Sequence, residues 1–415
     1  MPADTTSEPA SRAALRLLLT RRFGTFCGAS FLSNIGTWAQ QLAQPWLLLS
    51  LGASSFFIGL DAFAQGAPVW LLTLVGGVLA DRFDRRRIIA SFQSLQMLCP
   101  LLIMTLLLTH AIRPWMVICV SLVVGITDAL SMPSFSSIVP SIVTKKQIPT
   151  ALSLNSTQFN LSRIAGPALA GLLLTSIGAV GCYAANALSY IPFILVALWI
   201  LPHQRQRAAP LPAFERRHPF RGVRHIVEQP LWRGALLTVL TSSLLCGQLI
   251  TFCPVLVRSA FHGNAAQLSI AMGAFGLGGL MGALGLVFIN PLRDRRPFSS
   301  GFAMAFGAIL VLAALNPWQW GLPALMTLAG IAMCVSNTSA NTLLQATTAD
   351  NLRGETVSLY MLAMRGGTSL GGLLTGASIS LLGVREALLV NGLLAISAQL
   401  FIAWYWRRAP GPQLP

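Results

Sequence analysis

A chain of 415 residues that is 54% hydrophobic and only 10% charged, with a mean hydropathy of +0.68, reads as an integral membrane protein, because soluble domains carry about 25% charged residues. The net charge of +16 does not point to nucleic acid: the arginines fall in short gaps between apolar blocks, not on a solvated basic face. No GxxxxGK[ST] loop, HExxH motif or CxxC pair occurs, so ATP hydrolysis, a resident metal and an organic cofactor are not expected.

The first 22 residues include a short apolar patch, 13–20, with arginines on both sides and no small-residue cleavage site. They are expected to form a cytoplasmic tail, with the first long span retained. A helix needs about 20 apolar residues to cross the hydrocarbon core, and twelve stretches qualify. In the first half these are Phe23 to Leu51, Ser55 to Ala80, Ile88 to Thr109, Pro114 to Val143, Ala151 to Ile177 and Cys182 to Leu201. A linker of different character follows, 202–233, with five prolines, seven arginines and only Glu215 and Glu228 as acids. Two readings stay open for it: arginines drawn to anionic headgroups of the inner leaflet, or a plain solvated connection. The second half contributes Gly234 to Phe261, Ala265 to Asn290, Phe298 to Leu315, Trp318 to Thr348, Glu355 to Leu382 and Arg385 to Trp406, with a tail at 407–415. The seven cysteines all sit in apolar stretches and are expected to be buried thiols.

Twelve crossings put both termini on one side. Of the 28 basic residues, 23 fall on the terminal side, three (Arg113, Arg258, Arg385) on the other, and two (Arg163, Arg365) within spans. The positive-inside rule then places both termini in the cytoplasm. The halves echo each other: Pro45 and Pro254, Gly125-Ile126 and Gly330-Ile331, Ser153-Leu154 and Ser358-Leu359, Arg163 and Arg365 recur at offsets of 202 to 209. That consistency predicts duplicated six-helix bundles, 23–201 and 234–406, an organisation common among secondary transporters.

Between the second and third spans lies GGVLADRFDRRRII. Glycine there lets a helix end approach its neighbour; Asp81 can face the partially positive start of another helix, with arginines pairing to it or to terminal carbonyls. The cluster reads as a latch between halves, or as a plain positive-inside turn. Gly77-x-Leu79-Ala80-Asp81-Arg82-x-x-Arg85-Arg86 resembles the signature loop of the major facilitator superfamily, with Asp84 standing where many members have glycine. The matching stretch of the second half, Arg293 to Arg296, is degenerate. The runs SNIGTWAQQLAQPWLLL, FNLSRIAGPALAGLLL and NALSY are similar to the drug and siderophore exporter branch of that superfamily, enterobactin exporter-like and macrolide efflux-like, over most of the chain and most strongly from Arg22 to Leu201. The resemblance implies an all-α membrane fold of twelve helices in two pseudo-symmetric bundles, alternating access, and export from the cytoplasm. Gly166-Pro167 with Gly171 is similar to the antiporter motif of exporter members, although Ser162 stands where a further glycine is usual; an ordinary proline kink is the alternative.

Asp128 and Arg163 both lie about 20 Å into their spans at 1.5 Å per residue. Pairing across adjacent helices is the expectation, as a structural ion pair or as a proton-coupled switch. Asp61, about 9 Å into the second span, is either a proton-entry carboxylate or a water-exposed interfacial residue, the second being the better expectation. Arg365 contacts an anionic substrate or caps neighbouring carbonyls. Three polar stripes complete the set: Asn34, Thr37, Gln41 and Gln44; Ser156, Asn160 and Arg163; and Asn337, Asn341 and Gln345. They line a central cavity or glue helices together, and the cavity is the favoured reading. The whole reads as a monomeric inner-membrane exporter that exchanges protons for a small molecule, a siderophore or a drug-like compound, with lipids as its surroundings and Asp128 as the best candidate for the proton carrier; the alternatives are an importer or lipid translocator of the same fold, or a non-transporting membrane scaffold or receptor.

Overall fold

Helices, and no strands, build the computed structural model over the described residues, 10–201, 228–288, 294–348 and 352–407. Helix is what these apolar runs must form, since a lipid-embedded backbone has no water to satisfy its N–H and C=O groups. In chain order they are α1 (Ala10–Leu18), α2 (Arg21–Ser50), α3 (Ser55–Arg82), α4 (Arg85–Leu108), α5 (Pro114–Ile142), α6 (Ile148–Ser176), α7 (Ala179–Trp199), α8 (Pro230–Ala260), α9 (Ala265–Val287), α10 (Arg296–Leu315), α11 (Gly321–Thr347), α12 (353–382) and α13 (Val384–Arg407). The N-terminal patch is therefore a short helix, and its Leu17 is buried against the start of α2. Wide five-residue turns interrupt α8 at Ser242–Cys246 and Leu256–Ala260, and α12 at Leu362–Gly366. Most of the expected linker, 202–227, lies outside the described residues, as do Arg293 and the tail from 408.

Nine of these helices are long and apolar enough to cross a membrane by length and composition. The three long ones that fall short are α2, α6 and α12, and the reason is chemical: α2 carries Ser33, Asn34, Thr37, Gln40, Gln41 and Gln44 along its length, α6 carries Asn155 to Arg163, and α12 holds Arg365 among glycines and hydroxyls.

Sharp turns join neighbours. Gly178 (φ 78°) and Gly383 (φ 100°) take the left-handed conformation at equivalent places, before α7 and before α13, where a Cβ would be strained. A second correspondence was hidden by the degenerate sequence around Asp294. Asp84 caps α4, accepting from the Arg86 backbone N–H at 3.2 Å and its Nε at 3.1 Å, while Arg86 Nη1 donates to the Leu198 carbonyl at the end of α7. Asp294 does the same at the start of α10: it accepts from the Arg296 N–H at 2.9 Å, and Arg296 Nη1 reaches the Trp406 carbonyl at the end of α13. The unit common to both halves is Asp-x-Arg, tying a helix start to the last helix of its own half. Alanine at Asp84 or Asp294 removes both cap and tether, and should lower thermal stability in detergent by about 1 kcal/mol.

In the first half α2 packs on α6 and α7, α3 on α5, and α4 on α5 and α7; in the second, α9 packs on α11, and α10 on α11 and α13. Two seams join the halves, α3 against α12 and α6 against α9. The apolar cores show how they meet. One large cluster, including Leu42, Leu48, Ile58, Tyr183, Leu249, Phe252, Leu268 and Phe306, draws on both halves at the end away from the termini. At the terminal end there are two separate clusters: Phe23, Phe26, Ile89, Phe193 and their neighbours entirely from the first half, and Trp232, Val239, Leu343 and Trp406 entirely from the second. Among the described residues, shared packing seals one end, and no buried cluster spans the two halves at the terminal end.

Five cysteines are buried as expected, but Cys119 is exposed and Cys334, which faces Gly282 of α9, is only half-buried.

Candidate functional site

The seams are close because glycine makes them so. A Cβ on Gly59 of α3 would meet the carbonyl oxygen of Gly372, and lie 3.2 Å from the Gly376 Cα of α12. On the other seam, a Cβ on Gly276 of α9 would lie 2.7 Å from the Arg163 carbonyl oxygen, and one on Gly171 would lie 2.6 Å from the Ser269 Cβ. Gly171 thus lets α6 approach the other half. Gly166 serves a different contact: it admits the Trp38 side chain and the Ile35 carbonyl of α2, with Pro167 buried one residue on. Gly76 gives α3 the expected close approach, to the Ala129 and Leu130 carbonyls of α5 at 2.7 and 2.8 Å from a notional Cβ.

Asp128 and Arg163 do not pair. Asp128 faces α4, where Gln96 Nε2 donates to Oδ1 at 2.6 Å and also reaches Thr127 Oγ1 at 3.0 Å, while Gln93 Nε2 supports Gln96 at 2.8 Å. Arg365, from the wide turn of α12 in the other half, lies within electrostatic range of it without a direct ion pair. Equal depth on adjacent helices was not enough, since α5 presents Asp128 toward α4 and α12, whereas α6 turns Arg163 toward α2 and α9. There the guanidinium lies over the Trp38 ring at 5.2 Å and the Phe275 ring at 5.5 Å. It bridges the halves by stacking. No described acceptor takes a hydrogen bond from it, so its five N–H donors are unspent.

Asp61 is not interfacial: it is 7% exposed. Gln44 Nε2 donates to Oδ2 at 2.7 Å and Ser121 Oγ to Oδ1 at 2.6 Å, and Tyr183 completes the cluster by donating to Gln44 Oε1 at 3.4 Å.

The α2 stripe therefore splits. Gln44 turns to Asp61, and Thr37 donates to Asn186 of α7 and to the Ser33 carbonyl; for these two the structure supplies helix-to-helix contacts. Asn34 donates to Gln158 of α6 at 3.4 Å, and Gln41 is exposed. On α6, Ser156 is exposed and Asn160 donates back to its carbonyl. On α11, Gln345 donates to Asn341 Oδ1, and Asn337 accepts from Tyr360 only through its backbone, leaving its side-chain oxygen buried and unsatisfied among the described residues. Gln40, Gln93, Gln96, Gln158 and Asn186 belong to these networks and were not singled out from sequence; paired amides at helical spacing within apolar runs were the available signal.

In the signature loop, Gly77 and Asp81 lie in or at the end of α3, but their side chains lie outside those described; Arg82 is exposed, Arg85 half-buried, and Arg86 is held by its own half. Gly367 to Gly371 reads GTSLG, formally a GxSxG pattern, yet it is mid-helix and Ser369 Oγ donates to the Arg365 carbonyl at 2.9 Å. A nucleophile elbow needs a strand-to-helix turn, and none exists there.

Beside the α3–α12 seam lies an apolar groove of about 360 Å³, lined by Trp70 of α3, Leu236 and Leu240 of α8, and Leu362 and Gly366 of α12, with Arg233 at its rim. Arg233 sits over the Tyr405 ring and hydrogen-bonds its hydroxyl.

A family model described as transmembrane secretion effector matches residues 13–409. The staphyloferrin A transporter of Staphylococcus aureus (strain NCTC 8325 / PS 47) is 25% identical over 390 residues, 89% of this chain and 93% of that relative. The enterobactin exporter of Citrobacter koseri (strain ATCC BAA-895 / CDC 4225-83 / SGSC4696) is 25% identical over 357 residues, 84% and 83% of the two chains. Among solved structures, a bacterial homologue of the human lysosomal transporter Spinster in an inward-facing and occupied conformation superposes with a TM-score of 0.68 at 18% identity, over 97% and 98% of the chains. The nucleoside transporter NupG gives 0.71 at 16% identity, over 94% and 100%. The chain belongs to the transmembrane secretion effector family, multi-pass membrane transporters of the major facilitator type, and is not an enzyme.

Proposed function

We propose that this protein is a twelve-span exporter of the inner membrane, both termini cytoplasmic, which moves a siderophore or drug-like molecule outward by alternating access coupled to proton antiport. The observation that carries the reading is the arrangement of cores: one shared cluster seals the end away from the termini, and two separate clusters flank the terminal end. A chain held in that state accepts cargo from the cytoplasmic side, and closure of the Asp81 loop against the other half would complete the cycle. Direction and cargo class are supported by the relatives named for staphyloferrin A and enterobactin. The test is cellular: metabolite profiles of culture medium with and without the protein, alongside accumulation of a panel of fluorescent drugs. Equal profiles and equal accumulation would sink export.

Arg163 is the proposed contact for an anionic cargo, since its donors face the seam unspent. A charge-assisted hydrogen bond contributes about 1.5–3 kcal/mol, so Arg163→Gln should raise the apparent KM for such a cargo by about tenfold or more without reducing protein in the membrane. An unchanged KM would remove Arg163 from the site.

The groove at Trp70 and Arg233 favours a second reading, a lipid translocator that takes an anionic amphiphile sideways from the leaflet. Flux of a fluorescent anionic phospholipid in reconstituted vesicles, lost with Arg233→Gln, distinguishes it from export of a soluble molecule.

A further inference from the structure

The hydrogen bonds leading away from Asp61 all run one way. Thr37 Oγ1 donates to Asn186 Oδ1 at 3.5 Å, Asn186 Nδ2 to Gln40 Oε1 at 2.6 Å, Gln40 Nε2 to Gln44 Oε1 at 3.3 Å, and Gln44 Nε2 to the Asp61 carboxylate at 2.7 Å. Four consecutive donors point at one buried carboxylate. The helices around it carry further titratable and charged side chains, among them Cys119 and Asp128 of α5, Cys99 of α4, Cys182, Tyr183 and Tyr190 of α7, and Tyr360 and Arg365 of α12. Only Tyr183 belongs to the cluster, and its hydroxyl points to Gln44. Among the described residues no cation neutralises Asp61; its charge is met by two neutral donors. A buried carboxylate without a cation is costly as a merely structural device, and ionisable groups at membrane depth mark proton routes by default.

We propose that Asp61 is a second proton-binding carboxylate, and that its charge state is passed through Gln44, Gln40 and Asn186 to Thr37. The inference rests on the reading of the chain as a proton-coupled transporter. A proton taken from water binds a carboxylate oxygen and turns an acceptor into a donor; no other bond is made or broken. With the proton on Oδ2, the oxygen that Gln44 faces, Oδ1 goes on accepting from Ser121, while the Gln44 amide gives up its donation to Oδ2 and to Ser121 Oγ and rotates to offer Oε1, which turns its Nε2 toward Gln40. Gln40 and Asn186 rotate in turn, since each amide presents a donor at one corner and an acceptor at the other. At the far end Thr37 becomes the acceptor, and the position suits it: its hydroxyl can still donate to the Ser33 carbonyl, 3.0 Å away. The end of the chain meets Tyr190, which interacts with Thr37 and Asn186 and lies within electrostatic reach of Asp128. One proton near the sealed end thereby reverses a row of dipoles ending beside the Asp128 site. Asp61 also sits on the helix whose Gly59 closely approaches the other half, so both signals share one rod.

The test is infrared difference spectroscopy of the full-length protein in liposomes, titrated with pH, together with vesicle flux. A protonated-carboxyl band should vanish in Asp61→Asn and persist in Asp128→Asn. Gln40→Leu should leave that band but abolish the accompanying side-chain amide changes. Both Asp61→Asn and Gln40→Leu should lower proton-driven export by roughly tenfold or more, with counterflow in the absence of a proton gradient retained. A carboxyl spectrum unaltered by Asp61→Asn, or wild-type gradient-driven export in Gln40→Leu, overturns the proposal. Should Asp61→Asn fail to reach the membrane, Ser121→Ala keeps the carboxylate and must displace its band; an unmoved band is equally fatal. A wild-type protein that moves no protons sinks the coupled-transport reading while leaving the Asp61 titration to stand, whereas proton flux without an Asp61 band sinks this inference alone.

Discussion

Asp128→Asn is expected to abolish proton-driven exchange while leaving protein in the membrane, and to lower its thermal stability. The carboxylate is held by Gln96 at 2.6 Å and faces the Arg365 charge across the seam. Asparagine keeps the hydrogen bond and deletes the charge, so the loss isolates the electrostatic role. Both side chains are only half-buried, so the charge left behind by a single removal is partly solvated and the loss falls well below the about 3–5 kcal/mol of a fully buried pair, while removing both should cost less than the sum. The double variant Asp128→Asn with Arg365→Gln should therefore recover stability and still fail to couple. A double-mutant cycle on melting temperature measures the first part, and dye-reported proton flux in vesicles the second. Normal proton-driven exchange in the single variant would eliminate Asp128 as carrier, and additive stability losses would eliminate the pair.

The second large effect is expected at Gly59. A valine there would drive its side chain into the Gly372 carbonyl and the Gly376 backbone, where nothing on the α12 side can rotate out of the way. Overpacking costs about 1–3 kcal/mol, but here it acts between two bodies, so the halves can relieve it by parting. Gly59→Val should leave each half folded, abolish transport, and make the sealed end reactive to water-soluble thiol reagents at a cysteine placed at Leu249, which is fully buried in the shared cluster. Wild-type transport would mean that the two helices never need to approach this closely during turnover.

Much of this architecture was legible as letters. Asp128, Arg163 and Arg365 stand out because a charge amid apolar residues has few explanations, and the recurrences between halves stand out because they share offsets of 202 to 209. Rotation about the helix axis was not legible. Depth along a span follows from counting at 1.5 Å per residue, but azimuth depends on which neighbours a helix chooses, and that is decided by packing at glycines such as Gly125 and Gly276. Hence Asp128 and Arg163, equal in depth, face different partners, and Gln44 leaves the stripe it shares with Gln41 to satisfy a carboxylate on α3. The misreading of Asp61 has the same origin: closeness to a span end predicts water only if the helix turns that side outward. The Asp-x-Arg unit at Asp294 escaped notice because its flanking residues changed while the geometry of the pair did not.

The three wide turns all belong to the second half. Each inserts an extra residue into a helical repeat and loosens the regular ladder of carbonyls to amides, as such turns do where function resides; among the described residues the helices of the first half contain prolines such as Pro45 and Pro167 but no such turn. Among the described residues the regular hydrogen-bond ladder is therefore interrupted in this way in the second half and not in the first. Were the halves to rock as proposed, the first would serve as an anvil and the second as the spring, with Arg365, seated within one of the loosened turns, riding on the compliant partner.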